Sequence, residues 1–421
     1  MYRLDAAERR RRLAVRHGLA VGGKPADAVD VARRLVALHA TDPATVFLAI
    51  RARTAGPVKP ADIEHSLYER RALVRMLAMR RTMFVVPAES VPMFQAATTD
   101  RIAAAQRALL LRLLTDAGIA EPEHWLADVE RSVLSALASR GGAATAAELS
   151  ADEPRLRTSL LLAQGKPYEA RQNITSRVLF VLAAYGHIVR GRPIGTWLSQ
   201  QYRWALTGHW LAGPAGSPGP PPAYPAAAAG AAGAAGEASA AGGAGAIGQA
   251  KARADLARYW LAAFGPAPLT DLRWWTGWTM TQARQAAADL GAVQVDLGTG
   301  TGVALPGDGA PTSEPGPWVA LLPALDPTVM GWSDRSWFLG PHGTALFDSN
   351  GNAGPTVWLN GRVVGGWAQR GDGKIVVRLL EEVAADGVAM IDAEAERVGS
   401  WLADVRVTPR FRTPTERELS R

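Results

Sequence analysis

The sequence predicts an α+β fold, mostly α, made of tandem winged-helix units with a C-terminal β-rich region. Three observations predict it. A helix–helix–helix–hairpin order comes round three times, the chain turns to strand character after Trp318, and 421 residues carry a net charge of +7. Cassettes of this kind place a helix in a nucleic-acid groove and hairpin arginines on phosphates.

The first unit spans residues 1–118. A basic helix (ERRRRLAVRHGLA) opens it and Gly22-Gly23 ends it. Apolar residues at 31, 35 and 38, and again at 46, 47 and 50, have helical spacing, so His39-Ala40-Thr41-Asp42-Pro43 joins two helices. The first of these is expected to end near His39. Asp42 before Pro43 is an N-cap and first-turn pair, which explains both residues without any catalysis. If His39-Ala40-Thr41 is extended, the imidazole and the hydroxyl project the same way, with the Asp42 carboxylate adjacent. A helix from Lys59-Pro60 follows, then two strands, Leu73–Met79 and Thr82–Val86, flanking Arg80-Arg81. A long helix from Ala88 to about Asp116 closes the unit.

The second unit, 119–212, repeats the order. Its helices are Glu123–Ser139, a short one with a capping-box start at Thr145, and Asn173–Tyr185. HIVRGRPIGTW then reads as two short strands around Gly191-Arg192-Pro193. Residues 213–249 are low-complexity Ala/Gly/Pro, a flexible linker reaching about 30–35 Å as a coil. The third unit, 250–309, has helices Arg253–Phe264, Leu269–Trp275 and Thr279–Leu290. Its hairpin turns at Gly298–Gly302, so the GTGTG run is no phosphate loop, because it opens no helix. In residues 310–421 strands are expected at Arg335–Leu339, at Thr356–Val364 around the hairpin signal Asn360-Gly361, and on both sides of Gly371-Asp372-Gly373. A helix from Asp392 to Val405 follows.

Composition narrows the function. Hydrophobic content of 48% and charged content of 20% are those of a soluble globular protein. No apolar run approaches a membrane span and MYRLDAAERRRR has no signal-peptide core, so a cytoplasmic protein is expected. Zero cysteines exclude disulfides, thiolate zinc sites and a cysteine nucleophile. The seven histidines are scattered without metal-binding spacing, and no metal or cofactor is expected. The positive charge points to a polyanionic partner, double-stranded DNA first, bound by a monomer. Arg80, Arg81, Arg190 and Arg192 in or beside the hairpins, with Arg362 just past Asn360-Gly361, are the candidate DNA contacts. Seven of the 14 tryptophans fall between 197 and 278, where stacking on bases competes with ordinary core packing.

Several segments together resemble the AlkZ/YcaQ-like DNA glycosylases, a bacterial family of tandem winged-helix proteins. They are RLVALHATDPATVFLAIRAR, RMLAMRRTMFVVPAE, WLSQQYRWA, AAFGPAPLTDLRWWTGW, LLPALDPTVMGW and VWLNGRVVGGWAQR. The resemblance runs from near residue 30 to near 412, apart from the linker. It implies a monofunctional glycosylase that excises N7-alkylated purines, bulky or crosslinked adducts included. The family's motif, Gln-Φ-Gln or Gln-Φ-Asp, has His39-Ala40-Thr41 as its counterpart here, a departure at both polar positions. On that implication His39 orients or deprotonates a water, Thr41 holds it, and Asp42 supplies negative charge. A histidine base would lose activity on protonation near pH 6–7. The departure keeps a second reading open, a non-catalytic DNA-binding regulator or damage sensor; a winged-helix protein-binding scaffold is a third.

Overall fold

In the structure, a computed structural model that describes residues 2–162, 165, 169–211 and 247–421, the first cassette is ordered by a small antiparallel sheet. Its strands lie side by side as Leu38–His39, Met83–Pro87 and Leu73–Leu77. Along the chain, helix Ala28–Arg34 precedes the strand Leu38–His39, and helices Pro43–Arg51 and Pro60–Glu64 separate it from the other two strands. The second cassette repeats the arrangement, with Ala143–Ala144, Tyr202–Leu206 and Ile188–Pro193 in the same relative order. Its helices are Pro122–Ser139, Ala146–Asp152 and Thr175–Ala184. The third has helices Gln249–Phe264, Leu269–Thr276 and Met280–Asp289, and the hairpin Val293–Asp296 with Thr301–Ala304. Tyr2–Arg3 adds a parallel strand to that hairpin, so the start of the chain docks on the third cassette.

The C-terminal region is a four-stranded antiparallel sheet, Val319–Leu322, Thr356–Leu359, Arg362–Gln369 and Ile375–Leu379, in chain order. Asn360 and Gly361 both take positive φ (49° and 85°), the conformation a two-residue hairpin turn requires. Helix Ala385–Leu402 covers this sheet with Ile391, Ala395, Val398 and Leu402.

The core explains how distant segments meet. One apolar cluster joins Leu13, Val74, Phe84 and Phe94 to Trp260, Phe264, Trp332 and Trp358. Another joins Leu35, Phe47 and Ile50 to Leu321, Trp367 and Val398. The first cassette is thus packed between the third cassette and the C-terminal sheet, while residues 110–188 have a core of their own. A buried chain of hydrogen bonds crosses the same junction. Arg53 donates to both Asp326 oxygens (2.6 and 2.9 Å) and to Thr328 Oγ1 (2.7 Å), which lies 2.8 Å from His17 Nδ1.

Four expectations are corrected. The helix before the hinge ends at Arg34, not near His39; Val36 takes a left-handed φ of 65° and Leu38–His39 is a strand. Helical spacing misled here because every residue from Leu35 to Leu38 is buried whatever its direction. Arg335–Leu339 is not a strand: Ser336–Leu339 is a helical turn started by the Asp334 carboxylate, which accepts the Ser336 N–H and hydroxyl. Ile188–Pro193 is one strand whose partner begins at Tyr202, so Arg192 sits inside a strand and not at a hairpin tip. Finally, an unforeseen hairpin, Ser159–Leu162 with Ala170–Asn173, precedes the third helix of the second cassette. The expected linker falls almost wholly outside the described residues. Among the described residues no helix is long and apolar enough to cross a membrane.

Candidate functional site

His39 pairs with Phe84 at the edge of the first sheet, and Ala40 N–H continues the ladder by donating to the Met83 carbonyl (2.8 Å). The extended backbone turns the His39 and Thr41 side chains the same way. Both line an open groove of about 310 Å³. Arg81, Arg190 and Arg410 line it too, with Phe180, Asn352 and Phe411. Its walls therefore come from the first cassette, the second cassette and the C-terminal region.

His39 is buried, tilted against Phe84 at 5.2 Å between ring centres. Its Nδ1 is sealed off without a hydrogen-bond partner among the described residues. Burial, helped by the charge of Arg80, pulls its pKa down to about 3, so the imidazole is neutral at physiological pH. On its far side the ring borders a small cavity of about 10 Å³ shared with Arg80, Phe84 and Trp275.

Asp42 does not join them. Its Oδ1 accepts the Ala44 N–H at 3.1 Å, capping helix Pro43–Arg51, and its Oδ2 accepts the Arg410 N–H at 2.9 Å. It lines a separate cavity of about 20 Å³ with Thr45, Ala324 and Gln369. Burial raises its pKa against these hydrogen bonds. Capping accounts for one Asp42 oxygen, and the tie to the Arg410 backbone occupies the other.

The candidate arginines divide into two sets. Arg80 and Arg81 sit at the tip of the first hairpin, both left-handed (φ 53° and 60°), a conformation costing about 1–2 kcal/mol for a residue with a side chain. Arg80 stacks 4.0 Å from the Trp274 ring centre, and Arg81 lies 5.9 Å from Phe180. Gly277 permits the Arg80 contact, since a Cβ there would stand 3.1 Å from Arg80 Cγ. Arg190 lies over Tyr202 and Trp204 at 5.4 and 5.3 Å. None of the three forms an ion pair among the described residues. Arg192 instead pairs with Glu64 and Glu69, and Arg362 donates to Glu381 at 3.1 Å. Those two are already neutralised and lie outside the groove.

The model of the AlkZ-like DNA glycosylase family matches residues 32–401. The chain belongs to that family. Its fold is similar to that of the Streptomyces sahachiroi DNA glycosylase AlkZ, with a TM-score of 0.67 at 20% identity over 94% of this chain and 97% of that one. No curated protein matches the sequence. Among the residues lining the groove of this AlkZ-like chain that sequence reasoning did not single out are Phe180, Asn352, Arg410 and Phe411. Only Arg410, between Pro409 and Phe411 in a basic tail, carried any local signal, and nothing local shows that the tail returns to His39.

Proposed function

We propose that this protein is a monofunctional DNA glycosylase that excises N7-alkylated purines, bulky adducts included, from duplex DNA. The three cassettes are winged-helix units with the boundaries expected from the sequence, acting as a monomer. The observation that carries the reading is the shared groove, in which two neutral polar side chains, His39 and Thr41, face three arginines that form no ion pair among the described residues.

The chemistry needs little more. An N7-alkylated purine is cationic, so cleavage of C1′–N9 returns the bonding pair to the base and releases it neutral, without an acid. Water adds to C1′ of the oxocarbenium sugar and loses a proton to solvent. With a pKa of about 3, His39 is a poor proton acceptor. It acts by hydrogen-bonding the water, as an amide would, and the Thr41 hydroxyl supplies the second contact. Asp42 holds the hinge and the Arg410 backbone.

Incubation with duplex containing N7-methylguanine, followed by alkaline cleavage at abasic sites, tests the reading. Strand breaks at the modified guanine are expected. Tight binding without breaks would leave a non-catalytic DNA-binding protein.

A further inference from the structure

Four arginines meet where the first cassette, the second cassette and the C-terminal tail converge. Arg81, Arg190 and Arg410 line the groove, and Arg75 lines a neighbouring cavity of about 20 Å³ that has Leu77, Met83, Phe180 and Arg190 as walls in common with it. Arg75 is only 5% exposed, and its Nε and Nη1 are buried without a hydrogen-bond partner. Taking a guanidinium out of water costs several kcal/mol unless an anion or full hydrogen bonding compensates. None of the four forms an ion pair with any carboxylate among the described residues. Asp42, whose carboxylate feels the charges of Arg410 and Arg75, is engaged by two backbone N–H groups.

Aromatic rings set the four guanidinium groups. Arg75 and Arg190 share Tyr202, at 4.9 and 5.4 Å, and Arg190 also meets Trp204. Arg81 lies near Phe180 and Arg410 near Phe411, at 5.9 and 5.7 Å. Stacking fixes a guanidinium by its face and leaves its N–H edges free, the geometry that takes two phosphate oxygens at once. Arg410 Nη1 also donates to Gln200 Oε1 (3.0 Å) and to the Thr41 carbonyl (3.4 Å), so only its remaining N–H groups are open to a phosphate. Like charges held this close repel, as the lowering of the Arg190 pKa by burial and by Arg75 and Arg410 records. A bound anion removes that repulsion.

We infer that Arg75, Arg81, Arg190 and Arg410 form one phosphodiester site, which grips the DNA backbone at the nucleotide presented to His39 and Thr41; this rests on the DNA-glycosylase reading above. Arg81, Arg190 and Arg410 touch the phosphate oxygens. Arg75 is a positioning residue that acts behind them through Tyr202. The substrate itself brings the anion that the groove lacks.

The test is a scan of a lesion duplex in which single linkages are replaced, one at a time, by uncharged methylphosphonate. Wild-type protein should lose about tenfold in affinity at one linkage flanking the lesion and little elsewhere. The variant Arg190→Gln/Arg410→Gln should bind about tenfold more weakly and lose distinctly less than wild type at that same linkage, because only Arg81 of its three contacts remains. Its salt slope should fall by about one, not two, since both side chains serve a single phosphate. An unchanged melting temperature confirms that the variant is folded. Wild-type affinity in the variant, or an undiminished loss at every linkage, overturns the site. Every readout here is an affinity. A protein that binds in this way but never releases a base therefore refutes the glycosylase reading and leaves the phosphate site standing.

Discussion

The Asp42 carboxylate accepts the backbone N–H of Arg410 at 2.9 Å, tying together residues 368 positions apart in the chain. The same group caps helix Pro43–Arg51. One side chain thus sets the hinge that carries His39 and Thr41 and also the tail that brings Arg410 to the groove.

Replacing Asp42 by Ala should therefore act on stability first. It leaves two N–H groups in a buried place without an acceptor, at about 1–3 kcal/mol each, less whatever water recovers. A lower midpoint in denaturant and weaker DNA binding are expected. Asp42→Asn should be milder, because the amide oxygen can still accept one of the two N–H groups. A melting curve unchanged in Asp42→Ala would show that the tie contributes nothing.

The pH dependence separates activity from folding. A histidine with an ordinary pKa would switch activity off near pH 6–7, as the sequence suggests. His39, at about 3, should give a flat rate profile from pH 5 to 8. Stability behaves differently. His17 and His39 both fall to about 3, chiefly through burial, whereas unfolded histidine titrates near 6.5. Below 6.5 the unfolded chain therefore binds protons that the folded chain refuses, and stability falls as pH drops toward 3. The slope is about 1.4 kcal/mol per pH unit for each histidine. Acid titrations of His17→Gln and His39→Gln, each with a shallower slope than wild type, would confirm the assignment. A rate inflection near pH 6.5 that vanishes in His39→Gln would contradict it.

If His39 works as a neutral hydrogen-bonding group, glutamine should replace it. His39→Gln is expected to keep base release within about tenfold of wild type, whereas His39→Leu should lose a hundredfold or more. Loss of activity in both would give the imidazole a role that an amide cannot fill.

The arginines can be ranked by their partners. Arg81→Gln and Arg190→Gln should each weaken duplex binding and lower the salt slope, by less than about one unit apiece because they share a phosphate. Arg192→Gln and Arg362→Ala should change it less, because Glu64, Glu69 and Glu381 already neutralise those charges. Arg362→Ala should also leave the melting temperature within about a degree, an exposed ion pair being worth little. Equal slopes for all four variants would mean that the carboxylates release their arginines on DNA.

Much of this was legible in the sequence. Local chemistry announced the turns and caps: Asp42-Pro43, the Thr145–Glu148 capping box and the Asn360-Gly361 turn all form as their residue types require. The mixed α+β character and most helices and hairpins were legible from periodicity, and the extended hinge placed His39 and Thr41 on one side. Long-range pairing was not legible. No local pattern shows Tyr2–Arg3 joining a strand at Val295–Asp296, or Arg410 returning to Asp42. Uniform burial hid the end of the helix at Arg34, and the Pro193 region looked like a turn although it lies within a strand. Arg75 looked like one more strand residue, whereas the structure sets it beside Arg190 over the same Tyr202 ring.

The most direct measurement is single-turnover base release, with duplex affinity measured alongside, for wild type and for His39→Ala/Thr41→Ala on N7-methylguanine DNA. Wild type should release the base and the double variant should not, with affinities within about threefold because phosphate contacts carry the binding. Wild-type protein that binds the adducted duplex yet releases no base at any pH, or a double variant as fast as wild type, would contradict that expectation.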